Sequence, residues 1–294
     1  MTLRRLAPAK INLFLHVGAR QADGYHPVCS LMIFADIGDE LGLTPGAPMG
    51  LTVEGPFGGG LGNGGDNLVL RARDLFLERF GRASEPFGLT LDKRLPIAAG
   101  LGGGSADAAA SLQLLASRHG VDASHPDLDA MARALGADVA ACLAGRTVIA
   151  EGRGDDLTPA PVMPALDAVL VNPGAPSSTA AVYGAFDGRR AGPGADRPAL
   201  PPRLTSAHHA AEVFEVLRND LEAPALALQP LIGEALRALA EQPETLMARM
   251  SGSGATSFAL VETPADAERL AARLIAAHPT WWVRACRLGG ARPD

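Results

Sequence analysis

One stretch decides the fold of this chain: Leu95-Pro-Ile-Ala-Ala-Gly-Leu-Gly-Gly-Gly-Ser105-Ala-Asp-Ala-Ala-Ala110. Glycine has no Cβ, so Gly100 and Gly102–Gly104 let the backbone adopt positive φ and lie close to a ligand. The alanine-rich segment that follows predicts a helix with Ser105 as its N-cap. The N–H groups that begin such a helix lack internal partners and attract anions, phosphate above all.

Three known motifs do not fit this stretch. The lysine of G-x-x-x-x-G-K-[ST] is missing, Gly100–Ser105 does not complete G-x-G-x-x-G, and Asp107 replaces the last glycine of G-x-S-x-G. A G-x-G-x-x-G match at Gly60–Gly65 has no strand before it, so we predict a flexible loop there. Taken alone, the glycine run is compatible both with phosphate binding and with close packing of a strand against a helix.

The composition is typical of a globular protein without affinity for polyanions. The chain has 294 residues, of which 47% are hydrophobic and 20% charged, and its formal net charge is −6. This charge excludes the basic footprint of a protein that binds nucleic acid or an anionic membrane. No apolar run approaches the ~18 residues of a membrane span. Because Cys29, Cys142 and Cys286 lack disulfide or zinc spacing, we predict reduced cysteines and a cytoplasmic protein.

Lysine is almost absent from the chain. Of 26 basic residues only Lys10 and Lys93 are lysines. This scarcity indicates two positions that need a compact ammonium rather than a planar guanidinium. Compositional drift would also leave a few lysines.

The neighbours of Lys10 favour a functional role. Residues 10–17 alternate as in a strand, so Lys10 and Asn12 project together; if the alternate apolar residues face the core, this pair faces a wetter surface or a cleft.

Two further segments carry candidate functional residues. The turn Asp23-Gly-Tyr-His26 places an aromatic ring beside an imidazole, and this pair can stack on and hydrogen-bond to a planar base. Tyr25 could equally serve packing. Asp138 lies where a short helix begins; its local pattern favours an N-cap, a role that is compatible with facing a cleft.

Periodicity and turn signals predict the other elements. The first half has strands at 28–34, 40–43, 50–53, 87–91 and 146–150, and helices at 68–80, 128–135 and 139–143. The second half has strands at 168–171, 247–250, 258–261 and 282–288, and helices from residue 179 and at 211–218, 231–240 and 265–277. Its two β-α-β passages predict a small α/β sandwich. Residues 188–202, rich in Pro, Gly and Arg, predict a mobile loop.

Six motifs together resemble the superfamily of galactokinase, homoserine kinase, mevalonate kinase and phosphomevalonate kinase, the GHMP kinases. They are Pro8-Ala-Lys-Ile-Asn-Leu13, Asp23-Gly-Tyr-His26, Leu95–Ser105, Leu135-Gly-Ala-Asp138, Asn219-Asp-Leu-Glu222 and Met250-Ser-Gly-Ser-Gly-Ala255. The resemblance covers nearly the whole chain. Its first two motifs are similar to those of members that act on a cytidine diphosphate-linked methylerythritol.

The resemblance implies an α+β, GHMP-kinase-like fold of two domains with the active site between them. An N-terminal α/β nucleotide-binding domain with the glycine-rich phosphate loop would span residues 1–155, and a C-terminal ferredoxin-like α/β sandwich residues 156–294. The implied activity is transfer of phosphate from ATP, with Mg²⁺, to the 2-hydroxyl of the methylerythritol compound, in non-mevalonate isoprenoid precursor biosynthesis. The metal ligands are not assigned, and the oligomeric state is left as monomer or homodimer.

The resemblance also implies roles for particular residues. Asp138 would be the catalytic base and Lys10 its partner, whose ammonium would hold the carboxylate ionised and offset charge on the attacking oxygen. Tyr25 would stack on cytosine, with Tyr183 on the other face of the base and His26 hydrogen-bonding to it. The full substrate-binding set is Asn12, Tyr25, His26, Thr179 and Tyr183. The full ATP-binding set is Asn67, Lys93, Pro96, Gly100, Leu101, Gly102, Gly103, Gly104, Ser105 and Ala106.

The chain departs from the family pattern at two places, and two alternative functions remain open. One departure is the segment at residues 188–202, which would be an insertion. Many members have a second serine where this chain has Ala106, so a metal or phosphate role for that hydroxyl does not carry over. A kinase for homoserine or mevalonate is one alternative, but it would not need the aromatic pair Tyr25 and His26. A non-catalytic nucleotide-binding relative is the other, but it would not need to keep both Lys10 and Asp138.

Overall fold

The chain, in a computed structural model that describes residues 1–62, 64, 66–81, 85–187 and 194–289, forms two compact units. The first comprises Met1–Ala9, Ile37–Ile97 and Gly102–Gly145, and the second comprises Lys10–Asp36, Ala98–Leu101 and Arg146–Asp294. The units are discontinuous because two long strands, β1 (Leu3–Val17) and β2 (Val28–Pro45), contribute residues to both. These two units therefore differ from the two predicted domains, residues 1–155 and 156–294. The predicted domain boundary stays a prediction.

Four α-helices and four strand segments build the described part of the first unit. They are the N-terminal part of β1, the C-terminal part of β2, β3 (Gly50–Glu54), α1 (Leu68–Phe80), β4 (Phe87–Asp92), α2 (Gly103–His119), α3 (Pro126–Leu135) and α4 (Ala137–Ala144). Strand β4 lies between β3, which is parallel to it, and β2, which is antiparallel. Helix α2 packs against α1 and α4 and is buried along most of its length, where small and apolar side chains predominate.

The second unit contains an antiparallel sheet covered by helices. Its later elements are β5 (Val148–Gly152), β6 (Asp156–Pro159), β7 (Leu166–Asn172), α5 (Thr179–Asp187), α6 (Ala207–Glu215), α7 (Glu222–Leu228), α8 (Pro230–Ala240), β8 (Met247–Met250), β9 (Ser257–Val261), α9 (Pro264–Ala277) and β10 (Trp282–Leu288). Four strands follow the order β10-β7-β9-β8, all antiparallel, and α8 and α9 pack on them. This is the ferredoxin-like arrangement, so the predicted sandwich is confirmed.

Strand β1 differs from its prediction. The alternation of residues 10–17 predicts one buried and one wetter face, but both faces are buried. Lys10 is 4% exposed, Asn12 2% and His16 3%. Polar side chains can be buried on this strand because they are hydrogen-bonded within the unit, for example Asn12 to Ser30 and His16 to the carbonyl of Asp196.

Two predicted N-caps are wrong, because the chain enters each helix earlier. Gly102 has φ +63° and turns the chain into α2, so the helix begins at Gly103 and Ser105 is its third residue. Gly136 is the N-cap of α4, which makes Asp138 the second helical residue. Asp138 is therefore not needed as a cap.

Two loop predictions fall partly outside the described residues. The predicted flexible loop at 60–65 includes residues 63 and 65, and the predicted mobile loop at 188–202 includes residues 188–193. The described part of the second loop makes defined hydrogen bonds: Arg218 donates to the carbonyl of Gly194 at 2.6 Å and His16 Nδ1 lies 3.0 Å from that of Asp196. Among the described residues, no helix is long and apolar enough to cross a membrane.

Candidate active site

The start of the glycine loop is held by a second small-residue loop, residues 251–256, in the second unit. Gly100 has φ +73°, and a Cβ there would lie 2.3 Å from the carbonyl oxygen of Ser251, so no other residue fits. The Ser251 hydroxyl donates to the carbonyl of Gly100 at 3.0 Å, and the N–H of Lys10 donates to that of Leu101 at 2.8 Å. Gly100 is thus required for packing, whatever ligand the loop binds.

The motif Asn219-Asp-Leu-Glu222 supports that second loop. Asn219 Nδ2 donates to the carbonyls of Met250 and Gly252, both at 2.8 Å. Glu222 Oε2 accepts the N–H of Met250 at 2.9 Å. The motif therefore fixes the backbone of residues 250–252, a role that sequence reasoning did not assign to it.

Lys10 and Asn12 are brought together as predicted, inside a buried network of the second unit. Lys10 Nζ donates to Asn12 Oδ1 at 2.8 Å, and Asn12 Nδ2 donates to the Ser30 hydroxyl at 2.7 Å. Ser30 in turn donates to the carbonyl of Phe14 at 2.6 Å, and the N–H of Asn12 donates to Ser251 Oγ at 3.1 Å. Asn12 thus orients the ammonium, while its predicted contact with substrate stays a prediction.

In the first unit, no side chain caps the N-terminus of helix α2. The first hydrogen bond of the helix joins the N–H of Ala106 to the carbonyl of Gly102 at 2.9 Å. By helix geometry the N–H groups of Gly103, Gly104 and Ser105 come before that bond and point out of the helix start. Such amides, together with the helix dipole, fit a phosphate group.

Lys93 lies in a buried cluster with two aspartates that sequence reasoning missed. Its Nζ donates to Asp39 Oδ2 at 2.5 Å and to Asp107 Oδ2 at 2.8 Å, and the three side chains are at most 3% exposed. The only available signal was that Lys93 is one of two lysines, because Asp39 is far away in sequence. The side chain of Lys93 therefore pairs with carboxylates; its assignment to ATP stays a prediction.

One ammonium between two carboxylates explains the pKa shifts of this cluster. Burial alone would lower the pKa of Lys93, but attraction to Asp107 and Asp39 outweighs it and the pKa is raised. Burial raises the pKa of Asp107 to about 7; attraction to Lys93 opposes this shift and repulsion from Asp39 adds to it. The ammonium of Lys93 therefore does not fully offset the desolvation of the Asp107 carboxyl group.

Asp107→Asn is expected to remove a pH-dependent loss of stability. Because the pKa of Asp107 is raised from 3.8 to about 7 on folding, its ionisation destabilises the wild type progressively between these values and fully above them. The free energy of unfolding of the variant, relative to wild type, should therefore rise from about pH 4 to about pH 7. Urea unfolding across this range measures it. Asp129→Asn, at an exposed ion pair with Arg133, is the control, and parallel curves for Asp107→Asn and wild type would contradict the expectation.

The Asp23–His26 turn packs against α5 in the second unit. His26 Nε2 lies 2.7 Å from Asp187 Oδ1, and its ring lies 4.9 Å from that of Tyr183 between centroids. The guanidinium of Arg153 lies 3.6 Å from the centroid of the Tyr25 ring, which remains 54% exposed. The two residues predicted to bind a base, and Tyr183, are therefore gathered on one part of this unit.

Two of the other predicted residues, Asn67 and Thr179, have hydrogen-bond partners within their own unit. Asn67 is the N-cap of α1, where its Oδ1 accepts the N–H of Val69 at 3.0 Å. Thr179 begins α5, and its hydroxyl lies 2.8 Å from that of Ser253. Pro96 is half-buried. Asp138 is half-buried in the first turn of α4, where the helix dipole favours a negative charge.

Among the described residues, no group of three or more His, Cys, Asp or Glu side chains could hold a metal ion. A Mg²⁺ ion usually keeps several waters and needs only one or two protein carboxylates when it is bound to nucleotide phosphates. The described part of the chain therefore has no metal site formed by protein side chains alone. A Mg²⁺ ion here would be bound mainly by the phosphate oxygens of the nucleotide.

The fold is that of a family of small-molecule kinases. Residues 67–146 match the GHMP kinases N terminal domain, and residues 202–280 match the GHMP kinases C terminal domain. The chain belongs to the GHMP kinase family. The predicted fold class is thereby confirmed, and membership of a kinase family implies use of ATP.

Within the family, the chain is similar to one particular kinase. The 4-diphosphocytidyl-2-C-methyl-D-erythritol kinase of Caulobacter vibrioides is 54% identical over 289 residues, 98% of this chain and 100% of the relative. The enzyme of the same name from Methylorubrum extorquens is 48% identical over 287 residues, 96% and 97% of the two chains. A crystal structure of 4-(cytidine 5'-diphospho)-2C-methyl-D-erythritol kinase, 36% identical, matches with a TM-score of 0.78 over 98% of this chain and 100% of that chain.

A homoserine kinase from Cytophaga hutchinsonii shares only the fold. It is 19% identical, with a TM-score of 0.66 over 97% of this chain and 94% of that chain.

Proposed function

We propose that this chain is the ATP-dependent kinase that phosphorylates the 2-hydroxyl of 4-diphosphocytidyl-2-C-methyl-D-erythritol, releasing ADP, in isoprenoid precursor biosynthesis. Identity to kinases of that name over nearly the full length supports the substrate. The observation in the structure that carries the proposal is the group of Tyr25, His26 and Tyr183, since an acceptor without a base would not need these aromatic rings.

The donor half of the reaction rests on the start of α2. The N–H groups of Gly103, Gly104 and Ser105 would bind the β- and γ-phosphates of ATP, and the absence of side chains at the two glycines lets the phosphates approach the backbone. Mg²⁺ on the nucleotide would neutralise charge on the transferred phosphoryl group. In this chemistry the protein mainly positions groups and stabilises charge.

The acceptor half rests on the turn at residues 23–26. Tyr25 is 54% exposed, and cytosine would stack on the face of its ring that the Arg153 guanidinium does not occupy. The carboxylate of Asp187 fixes the orientation of the His26 ring, so that its other nitrogen can hydrogen-bond to the base. Tyr183 would contact the base from the other side. We keep Asn12 and Thr179 as further substrate contacts.

Two residues would act on the reacting hydroxyl. Asp138 would accept its proton as general base, in a helix turn that favours the carboxylate form. Lys10, whose ammonium is oriented by Asn12, would stabilise the negative charge that develops on the attacking oxygen.

We also propose a cytoplasmic location. Cys29 and Cys286 are free and buried, and burial raises the pKa of the Cys29 thiol to about 11, which disfavours the reactive thiolate. Reduced thiols are typical of the cytoplasm. The partners would be two small molecules, ATP and the cytidine diphosphate-linked acceptor.

The substrate is tested by ADP release with three acceptors side by side: 4-diphosphocytidyl-2-C-methyl-D-erythritol, homoserine and mevalonate. ADP is expected only with the first, because only it has a base for Tyr25 and His26. A reaction without acceptor measures background hydrolysis. Phosphorylation of homoserine or mevalonate, with none of the cytidine compound, would overturn the proposed substrate.

A further inference from the structure

Asp39, on β2, belongs to the buried Asp39–Lys93–Asp107 cluster and also binds the backbone at the beginning of the glycine loop. Asp39 Oδ1 accepts the N–H groups of Arg94 at 2.6 Å and Leu95 at 2.8 Å. These are the residues that lead into the loop. The other oxygen of Asp39 binds the ammonium of Lys93, so one carboxylate joins the ammonium to the beginning of the loop.

The backbone of Lys93 is fixed independently of its side chain. Its N–H donates to the carbonyl of Glu54 at 2.8 Å, and its carbonyl accepts the N–H of Phe57 at 3.1 Å. The ammonium therefore projects from an anchored position at the end of β4. Hydrogen bonds of charged groups in such a dry site are strong, and breaking one leaves a buried charge without its partner.

The same ammonium contacts the far end of the loop, where α2 begins. A Cβ on Gly103, the first residue of α2, would lie 2.9 Å from Lys93 Nζ and 3.4 Å from Asp39 Oδ2. Asp107, one turn further along the helix, binds Nζ at 2.8 Å. The helix thus starts directly against the ammonium, and a side chain at Gly103 would have to displace it.

We propose that Asp39, Lys93 and Asp107 are positioning residues for ATP: they hold both ends of the loop so that the N–H groups of Gly103, Gly104 and Ser105 are presented to the phosphates in one arrangement. This rests on the proposed function of that loop in binding ATP. Preorganised donors bind an anion more tightly than donors that must be ordered on binding. Lys93 on this view does not touch the nucleotide with its side chain.

The contacts of Asp107 allow a selective test. Its Oδ1 is buried and has no hydrogen-bond partner among the described residues, so only Oδ2 serves the cluster. Asparagine at this position keeps an oxygen that accepts from Lys93. Leucine is of similar size and cannot accept a hydrogen bond, which leaves the ammonium with Asp39 alone.

The experiment compares Asp107→Asn, Asp107→Leu and Asp39→Asn with wild type. Ser111→Ala is the matched control, since Ser111 is a buried polar residue of the same helix whose hydroxyl donates to the carbonyl of Val69. The measured quantities are KM for ATP, KM for the cytidine acceptor, kcat, and Kd for a non-hydrolysable ATP analogue without acceptor. Asp107→Leu and Asp39→Asn are expected to raise KM for ATP and this Kd by about tenfold, with the acceptor KM within about twofold of wild type. Asp107→Asn and Ser111→Ala are expected to stay within about threefold.

A purely structural role would give a different result. Lower thermal stability with unchanged nucleotide Kd, or an equal rise in KM for both substrates, would overturn the proposal. If Asp107→Leu or Asp39→Asn does not fold, Asp107→Ala is measured in its place, because it leaves the Asp39–Lys93 pair intact. A nucleotide affinity of Asp107→Ala equal to that of wild type would likewise contradict the proposal.

The binding measurement separates this proposal from the proposed function. If the wild type binds the ATP analogue but phosphorylates none of the acceptors, the proposed function fails and the variants still decide the role of the cluster. If the wild type is active and the variants bind the analogue as it does, only the positioning role fails.

Discussion

Replacing Asp138 by Asn is expected to abolish measurable ADP formation while leaving ATP binding close to wild type. A positioned general base contributes about 10²–10⁴-fold to a rate, and asparagine cannot accept the proton of the hydroxyl. ATP binding should persist because, on the proposed function, the loop would contact phosphate through backbone N–H groups that this change does not touch. Steady-state kcat and the Kd of a non-hydrolysable ATP analogue measure the two effects.

Asp129→Asn is the matched control for this change. Asp129 lies on the neighbouring helix α3, is exposed and pairs with Arg133 at 2.7 Å, so its replacement should change kcat little. Turnover of Asp138→Asn within a few-fold of the control would contradict the assignment of Asp138 as base. Loss of nucleotide binding together with turnover would indicate instead that Asp138 supports the loop.

Replacing Lys10 by Arg is expected to reduce kcat by about 10²–10³-fold, the cost of losing one positioned charge donor. Arginine keeps the positive charge, but Lys10 is 4% exposed and its Nζ is oriented by Asn12. The larger planar guanidinium would have to displace Asn12, which is also bonded to Ser30 and Ser251. Lys10→Met should lose activity to a similar extent. Initial rates at saturating ATP and acceptor measure these losses.

The control for Lys10→Arg is an exchange between arginine and lysine at another position of β1. Arg5 is exposed, so Arg5→Lys should leave kcat unchanged. A nearly wild-type rate for Lys10→Arg would show that the reaction needs only a positive charge at this position. The geometry of the Lys10–Asn12 pair would then not matter for the rate. A rate for Lys10→Met close to that of wild type would remove Lys10 from the reaction altogether.

Elements with local signals could be predicted closely. The helix at Leu68–Phe80 and the strands at Met247–Met250 and Trp282–Leu288 have the predicted bounds, because caps, turns and hydrophobic periodicity within a few residues specify them. Helix α7 (Glu222–Leu228) was not predicted. It is short and contains Pro224, so its sequence has no helical periodicity to detect.

Strand β2 shows how packing overrides a local signal. Two strands are predicted, at 28–34 and 40–43, but the chain forms one strand that continues through residues 35–39. Gly38 allows the carbonyl of Ala7 to lie 2.1 Å from where a Cβ would be, and Asp39 is stabilised by a buried ammonium. Neither partner is visible from the sequence around residue 38.

The sequence by itself determined the family and the glycine loop, and it predicted Lys10 and Asp138 as the residues that act in phosphoryl transfer, since each of these lies in a short contiguous motif. Only the tertiary structure decided that both faces of β1 are buried, and that Asp39, Lys93 and Asp107 share one ammonium at the two ends of the loop. The physical reason is range: backbone propensity and turn chemistry act over a few residues, whereas the burial and hydrogen-bond partners of a polar side chain are set by segments that folding brings together.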